Sequence, residues 1–158
     1  MTVVGITGHR VLPRAVEQLV DAALRDVVGR YTDDELVGVS ALAEGADTLF
    51  ARAVLDAGGS LVAIVPARRY RTALPAAHRP VFDALLARAK QVIALDREDS
   101  TGTAYMDAGL RMLNEIDLLV AVWDGQAARG LGGTAQLVDA AKRLPLPVTV
   151  IWPAGAAR

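Results

Sequence analysis

The sequence predicts an α/β protein: a doubly wound three-layer sandwich on a mainly parallel sheet of about six strands. Three observations predict it. Short apolar runs alternate with helix-period segments along the whole chain. Hydrophobic residues make up 53% of the 158 residues but aromatics only 4%, so the core is aliphatic, the usual filling of a parallel sheet covered on both faces. Glycine-bearing turns follow several strand-like runs, on the edge where such sheets hold their ligands.

Each element has its own signal. Residues Thr2 to Thr7 form a short apolar run that ends at Gly8, which reads as a buried strand. Pro13 suits a helix start, and Val16, Leu19, Val20, Ala23, Leu24 and Val27 recur at helical spacing, giving a helix from about Pro13 to Gly29. Leu36 to Ser40 is a second strand, Gly45 to Ala57 a helix stopped by Gly58-Gly59, and Ser60 to Val65 a strand stopped by Pro66. Arg68-Arg69-Tyr70-Arg71 reads as a basic loop. Val81 to Ala89 is a helix, Gln91 to Leu95 a strand, and Asp96 to Gly102 a polar loop. A helix over Tyr105 to Ile116 leads to the most apolar strand, Leu118 to Trp123. A loop with three glycines, a helix over Gly133 to Arg143, and a last strand over Val148 to Trp152 complete the pattern. Repeated β-α-β units at this spacing imply right-handed crossovers, and the length fits one domain over residues 1–158.

Composition removes several classes of function. No cysteine is present, which excludes disulfides, thiol catalysis and thiolate metal sites. Two histidines give no basis for a His-rich metal centre, so neither a metal nor a cofactor is expected. No apolar stretch approaches the roughly 18 residues of a membrane span, and the first residues do not form a signal peptide. A cytoplasmic location and no membrane partner are the resulting expectations. The net charge is -1, and a domain that rides on nucleic-acid backbone usually carries a positive excess. Nucleic acid is therefore not expected as a partner.

Three loops after strands carry the chemistry. In Gly5-Ile6-Thr7-Gly8-His9-Arg10, Gly8 permits a tight turn and a close backbone approach, Thr7 offers a hydroxyl, and Arg10 a fork suited to phosphate. His9 is a possible donor to a phosphate or ribose oxygen. Plain exposure of His9 and Arg10 weighs about equally, since short motifs are weak signals. In Ser40-Ala41-Leu42-Ala43-Glu44-Gly45-Ala46-Asp47, small residues join a strand to a helix start, where backbone N–H groups favour an anion. Ser40 is placed to bond a phosphate and Glu44 to accept from a ribose. Asp47 falls inside the first turn and reads as a complement to the helix dipole. In Trp123-Asp124-Gly125 and Gly130-Leu131-Gly132-Gly133-Thr134, a glycine pair before a threonine at a helix start reads as a phosphate cradle. Asp124 stands at a strand end, in reach of a ribose, and Trp123 is more simply a core residue than a base-stacking one. The sequence lacks both the Gly-x-Gly-x-x-Gly fingerprint and a Walker-type lysine, which argues against hydride transfer and P-loop hydrolysis. Arg68, Arg69, Arg71 and Arg79 surround Tyr70. Such charge runs are usually solvated loops, with a lid over a phosphate as the alternative.

At these motifs the chain resembles the SLOG superfamily of Rossmann-like domains, over nearly its whole length. Ser40 to Asp47 is similar to the Ser-Gly-Leu-Ala-Arg-Gly-Ile-Asp stretch of the DprA/Smf DNA-processing proteins, and Gly5 to Arg10 resembles their Val-Gly-Ser-Arg opening. Gly130 to Thr134 loosely resembles the Pro-Gly-Gly-x-Gly-Thr-x-x-Glu motif of the LOG phosphoribohydrolases. The resemblance implies a Rossmann-like fold, a nucleotide-type ligand at the C-terminal sheet edge, and a homodimer. It departs at the position three residues after Thr134, where LOG enzymes carry a catalytic glutamate and this chain has Leu137.

The expected function is binding or sensing of a nucleotide-derived phosphate ligand, such as a nucleoside monophosphate or ADP-ribose. The expected ligand contacts are Thr7, Gly8, His9, Arg10, Ser40, Glu44, Gly45, Asp124, Gly132, Gly133 and Thr134. An N-glycosidic hydrolase or transferase is the alternative, with Glu44 and Asp124 as the motif-borne catalytic carboxylates. A DprA-like protein associated with single-stranded DNA is the third reading.

Overall fold

The computed structural model describes residues 1–127 and 133–156. Six strands form one sheet: β1 (Thr2–Gly8), β2 (Leu36–Ser40), β3 (Ser60–Val65), β4 (Gln91–Ala94), β5 (Leu118–Val122) and β6 (Val148–Ile151). The helices are α1 (Arg14–Gly29), α2 (Ala46–Asp56), α3 (Tyr70–Ala73), α4 (Arg79–Ala87), α5 (Gly102–Leu113) and α6 (Thr134–Arg143), with a single 3-10 turn at Ala76–His78 before α4. Every strand pair is parallel, and the strand order is β4-β3-β2-β1-β5-β6. The chain winds outward from β1 to β4, then returns to the other side of β1. The order therefore reverses between β1 and β5, and a crevice opens at the carboxyl ends of that pair.

The strands read as apolar runs because both faces are covered. All five residues of β2 and of β5 are buried. One layer is α1 and α2, whose Val20, Leu24, Val28, Phe50 and Val54 pack with Val4, Ile6 and Val120 of the sheet. The opposite layer is α5 and α6, whose Met112, Leu113, Leu137 and Ala141 pack with Val39, Val62, Ile64 and Leu119. A third cluster joins Leu61 and Ala63 of β3 to Tyr70, Leu74, Phe82 and Leu85. With so few aromatics, tight helix–sheet approach does much of the packing. A Cβ on Gly38 would lie 2.9 Å from the Phe50 ring, closer than packed atoms tolerate.

The residues from Arg68 to Arg71 do not form a loop. Arg68 and Arg69 lead into α3, and Tyr70 is buried. Its ring meets those of Phe82 and Tyr105 edge-on, at 5.8 and 6.0 Å between centroids. The periodic signal was hidden because α3 is only four residues long.

Candidate functional site

A cleft of about 620 Å³ lies at the carboxyl ends of β1 and β5, where the strand order reverses. Thr7, Gly8, His9 and Arg10 line it from the end of β1 and the turn that follows. Gly133, Thr134 and Ala135 line it from the start of α6. Ala41, Ala43 and Asp47 line it from the turn after β2, so all three expected loops contribute to one space. Gly132 and Gly130 lie outside the described residues. The floor is apolar: Ile6, Ile64, Ala108, Met112 and Leu137. Trp123, Tyr70, Tyr105 and Asp47 also contribute to the wall.

The glycines have local reasons. Gly8 is pinched between two elements: a Cβ there would lie 2.5 Å from the Ala46 Cβ and 2.8 Å from the Val122 Cβ. Gly45 is at φ +81°, and a Cβ would meet the carbonyl oxygens of Arg10 and His9 at 2.4 and 2.6 Å. The Ala46 N–H donates to that His9 carbonyl at 3.2 Å. These two glycines thus seat the start of α2 against the end of β1.

The loop from Ser40 to Asp47 is closed on itself. The Ser40 hydroxyl donates to the Asp47 carbonyl at 3.1 Å and accepts the Leu42 N–H at 3.0 Å. The Asp47 carboxylate accepts the Ala43 N–H at 3.3 Å. The Thr48 hydroxyl donates to the Ala43 carbonyl at 2.6 Å, and His78 Nε2 lies 2.9 Å from the Leu42 carbonyl. Ser40 is fully buried and outside the cleft lining, and the Leu42 and Ala43 amides are engaged within the loop. This loop shapes the site without offering those donors to a ligand. The start of α6 differs, because its N-cap Gly133 has no side chain to cap the first-turn N–H groups.

The charged residues fall into two sets. Arg10 bonds the Glu44 carboxylate through Nε. Burial opposes the Arg10 charge, but the hydrogen bond and charge of Glu44 and the hydroxyl of Tyr105 outweigh it, and the guanidinium is held charged well beyond its ordinary range. The Tyr105 hydroxyl is also 2.6 Å from the Ser100 hydroxyl. In the second set, His9 Nε2 lies 3.1 Å from the Asp124 N–H and 3.3 Å from its Oδ1. The same Oδ1 accepts the Gln126 N–H at 3.0 Å, and the His9 ring stands edge-on to Trp152 at 5.4 Å. Glu44, Gly45 and Asp124 adjoin the cleft residues but are not in its lining. Trp123 is half-buried and lines the cleft, with its indole N–H donated to the Gln126 carbonyl at 2.9 Å.

Asp47 is the carboxyl that the sequence assigns to the helix dipole rather than to the ligand contacts. It stands in the first turn of α2, yet it lines the cleft. Burial pushes its carboxyl up to about 7; the Ala43 N–H and Arg10 pull it down, and Glu44 adds to the rise. Tyr70, the neighbour contributed by α3, is raised well above the usual phenol range by burial and then by Asp47. No periodicity announces Tyr70 or Tyr105 as wall residues, because the two are far apart in sequence and meet only through the packing of α3 against α5.

The basic cluster, for which a lid over a phosphate was the alternative reading, is neutralised by neighbours. Arg68 pairs with Asp96 and Glu98, and Arg69 with Glu98 and Asp99. Arg71 pairs with Asp83, and Arg79 donates to the Thr72 carbonyl. Among the described residues, no cluster of three or more His, Cys, Asp or Glu side chains forms a metal site, and no helix is long and apolar enough to cross a membrane.

This architecture defines the class: an all-parallel Rossmann-like α/β domain, with its cleft at the β1/β5 reversal. The same fold occurs in DNA processing protein A from Streptococcus pneumoniae, with a TM-score of 0.69 and 18% identity over 98% of this chain and 51% of that one. The chain thus spans about half the length of that protein. DNA processing protein A from Helicobacter pylori, whose structure describes a single-stranded DNA binding mode, gives a TM-score of 0.67 and 17% identity over 99% of this chain and 68% of that one. The molybdenum cofactor carrier protein from Chlamydomonas reinhardtii gives 0.56 and 14% over 94% and 75%. No protein-family model and no curated protein matches the chain.

These neighbours overturn one expectation. Nucleic acid was not expected as a partner on the strength of the net charge, yet the shared fold includes a protein that binds single-stranded DNA. The physical reason is that a charge summed over the chain does not report its distribution over the surface.

Proposed function

We propose that the cleft binds a nucleotide-derived phosphate ligand, with its anionic group at the start of α6. The observation that carries this reading is that Gly133, Thr134 and Ala135, on a helix end without a side-chain cap, line the same space as Arg10. A helix N-terminus favours negative charge and supplies N–H donors, and a guanidinium adds a charge-assisted bond. Glu44 engages Arg10 through Nε and the Tyr105 hydroxyl bonds the same guanidinium; its five N–H donors exceed these two partners. The apolar floor of Ile6, Ile64, Ala108, Met112 and Leu137 suits an uncharged planar group such as a base.

Binding without turnover is the reading the geometry favours over N-glycosidic cleavage. Glu44 is bonded to Arg10, Asp124 adjoins His9 and accepts from Gln126, and neither lines the cleft. The test is thermal unfolding with a panel of nucleoside monophosphates, ADP-ribose and a short single-stranded oligonucleotide, with released base assayed in parallel. A ligand at a hundred times its Kd stabilises by about 2.7 kcal/mol, a melting shift of several degrees. Thr134→Glu puts a carboxylate at the helix start and abolishes the shift. An unchanged shift in that variant, or no shift with any of the panel, refutes the reading. A larger shift with the oligonucleotide than with the mononucleotides identifies a DNA strand as the ligand.

A further inference from the structure

One carboxyl oxygen in the cleft is not used by the fold. Asp47 Oδ2 accepts the Ala43 N–H at 3.3 Å, and that bond suffices to tie the loop to the first turn of α2. Oδ1 has no hydrogen-bond partner among the described residues, and it is not among their fully enclosed unpartnered atoms. Asp47 lines the cleft, so this oxygen is left to the cavity. The groups around it are Arg10 from the turn after β1, Glu44 from its own loop, Tyr70 from α3, and Tyr105 from α5 beyond Tyr70. Arg10 bonds Glu44 rather than Asp47, so no salt bridge occupies the carboxylate. A partly buried carboxylate oxygen without a donor is costly unless a ligand or water supplies one.

We propose that Asp47 is the specificity-determining group of this cleft: its Oδ1 accepts a hydrogen bond from a hydroxyl or amino group of the ligand and bars a second anionic group from the α2 end. The ligand class is then a nucleotide with a single phosphate-bearing end and free donors on its sugar or base, as opposed to a bisphosphate. This rests on the anion site at the start of α6 proposed above.

The experiment compares adenosine 5′-monophosphate with adenosine 3′,5′-bisphosphate by calorimetry, on the unmutated protein, Asp47→Asn and Thr134→Glu. In Asp47→Asn the amide oxygen keeps the Ala43 bond and the NH₂ turns the cavity side from acceptor to donor. Its affinity for the monophosphate falls about tenfold or more, as expected for loss of a bond to a charged acceptor, while its affinity for the bisphosphate holds or rises. Unmutated protein binding the two equally overturns the proposal, as does an unchanged preference in Asp47→Asn. If Thr134→Glu still abolishes binding in that case, the anion site stands and only the role of Asp47 falls. If neither nucleotide binds the unmutated protein, the proposal for Asp47 falls, and the anion site falls with it only if the whole ligand panel above also gives no shift. A pH series on the unmutated protein covers the case of a misfolded variant. Between about pH 6 and about pH 8 the Asp47 carboxyl ionises while phosphate goes on to its dianion, so the preference for the monophosphate grows with pH. A preference flat across that range also overturns the proposal.

Discussion

At the residue scale, Asp47 couples the site to stability. Its carboxyl is raised by burial from 3.8 to about 7, so the folded state holds a proton that the unfolded chain has already released. Stability is therefore full below pH 4, falls as pH rises through the window between about 4 and about 7, and levels off above it. The destabilisation is on the order of 4 kcal/mol at alkaline pH. Asp47→Asn removes it, so the variant is more stable than the unmutated protein at pH 8, and the gap closes near pH 4. Denaturant melts at both pH values check this; an equal gap at the two would show that Asp47 does not titrate in that range. Residue chemistry was partly legible in the sequence. Thr7, Gly8, His9, Arg10, Gly133 and Thr134 all line one cleft, as glycine-bearing turns after strands suggest. Asp47 was read as a dipole partner because sequence position reports the helix turn and not the direction of the carboxyl.

At the scale of elements, the turn into α3 and the turn after β4 form a clasp. The Arg68 and Arg69 N–H groups donate to the Arg97 and Glu98 carbonyls at 2.8 and 3.0 Å. Arg68 and Arg69 pair with Asp96, Glu98 and Asp99 across the same seam. All five of these charged side chains are exposed, and exposed ion pairs contribute roughly 0–1 kcal/mol each. The two backbone bonds and the burial of Tyr70 therefore hold this corner. Arg69→Ala is expected to change stability by less than about 1 kcal/mol, whereas Tyr70→Ala, which opens the packing against Phe82 and Tyr105, costs about 3 kcal/mol or more. Urea titration of the two variants measures both values, and similar losses would contradict this ranking. The sequence showed Arg68 and Arg69 but not the carboxylates that face them, because those belong to a different turn about 30 residues away.

At the scale of the whole molecule, the strand order β4-β3-β2-β1-β5-β6 puts β1 next to both β2 and β5, and covers that centre on two faces. The edge strand β4 is mostly exposed, with only Ile93 buried. Hydrogen exchange should accordingly be slowest at the amides of β1, β2 and β5 and faster at β4, since opening the centre requires global unfolding and opening an edge does not. Equal protection at β4 and β5 would mean that β4 is covered by something beyond this chain.

The sequence by itself determined the class of fold and most element boundaries. Apolar runs doubly covered by amphipathic helices have few alternatives, so β2 and β3 begin and end where the pattern places them. It also marked the three turns that contribute to the cleft. Which backbone donors are already engaged emerges only with the packed chain: the Ser40–Asp47 loop uses its Leu42 and Ala43 amides internally, while the N-cap of α6 is Gly133, which has no capping side chain. Local pattern records which face of an element is buried. Hydrogen-bond partners and cleft walls are assembled from residues distant in the chain, and their pairing is settled only when the layers close.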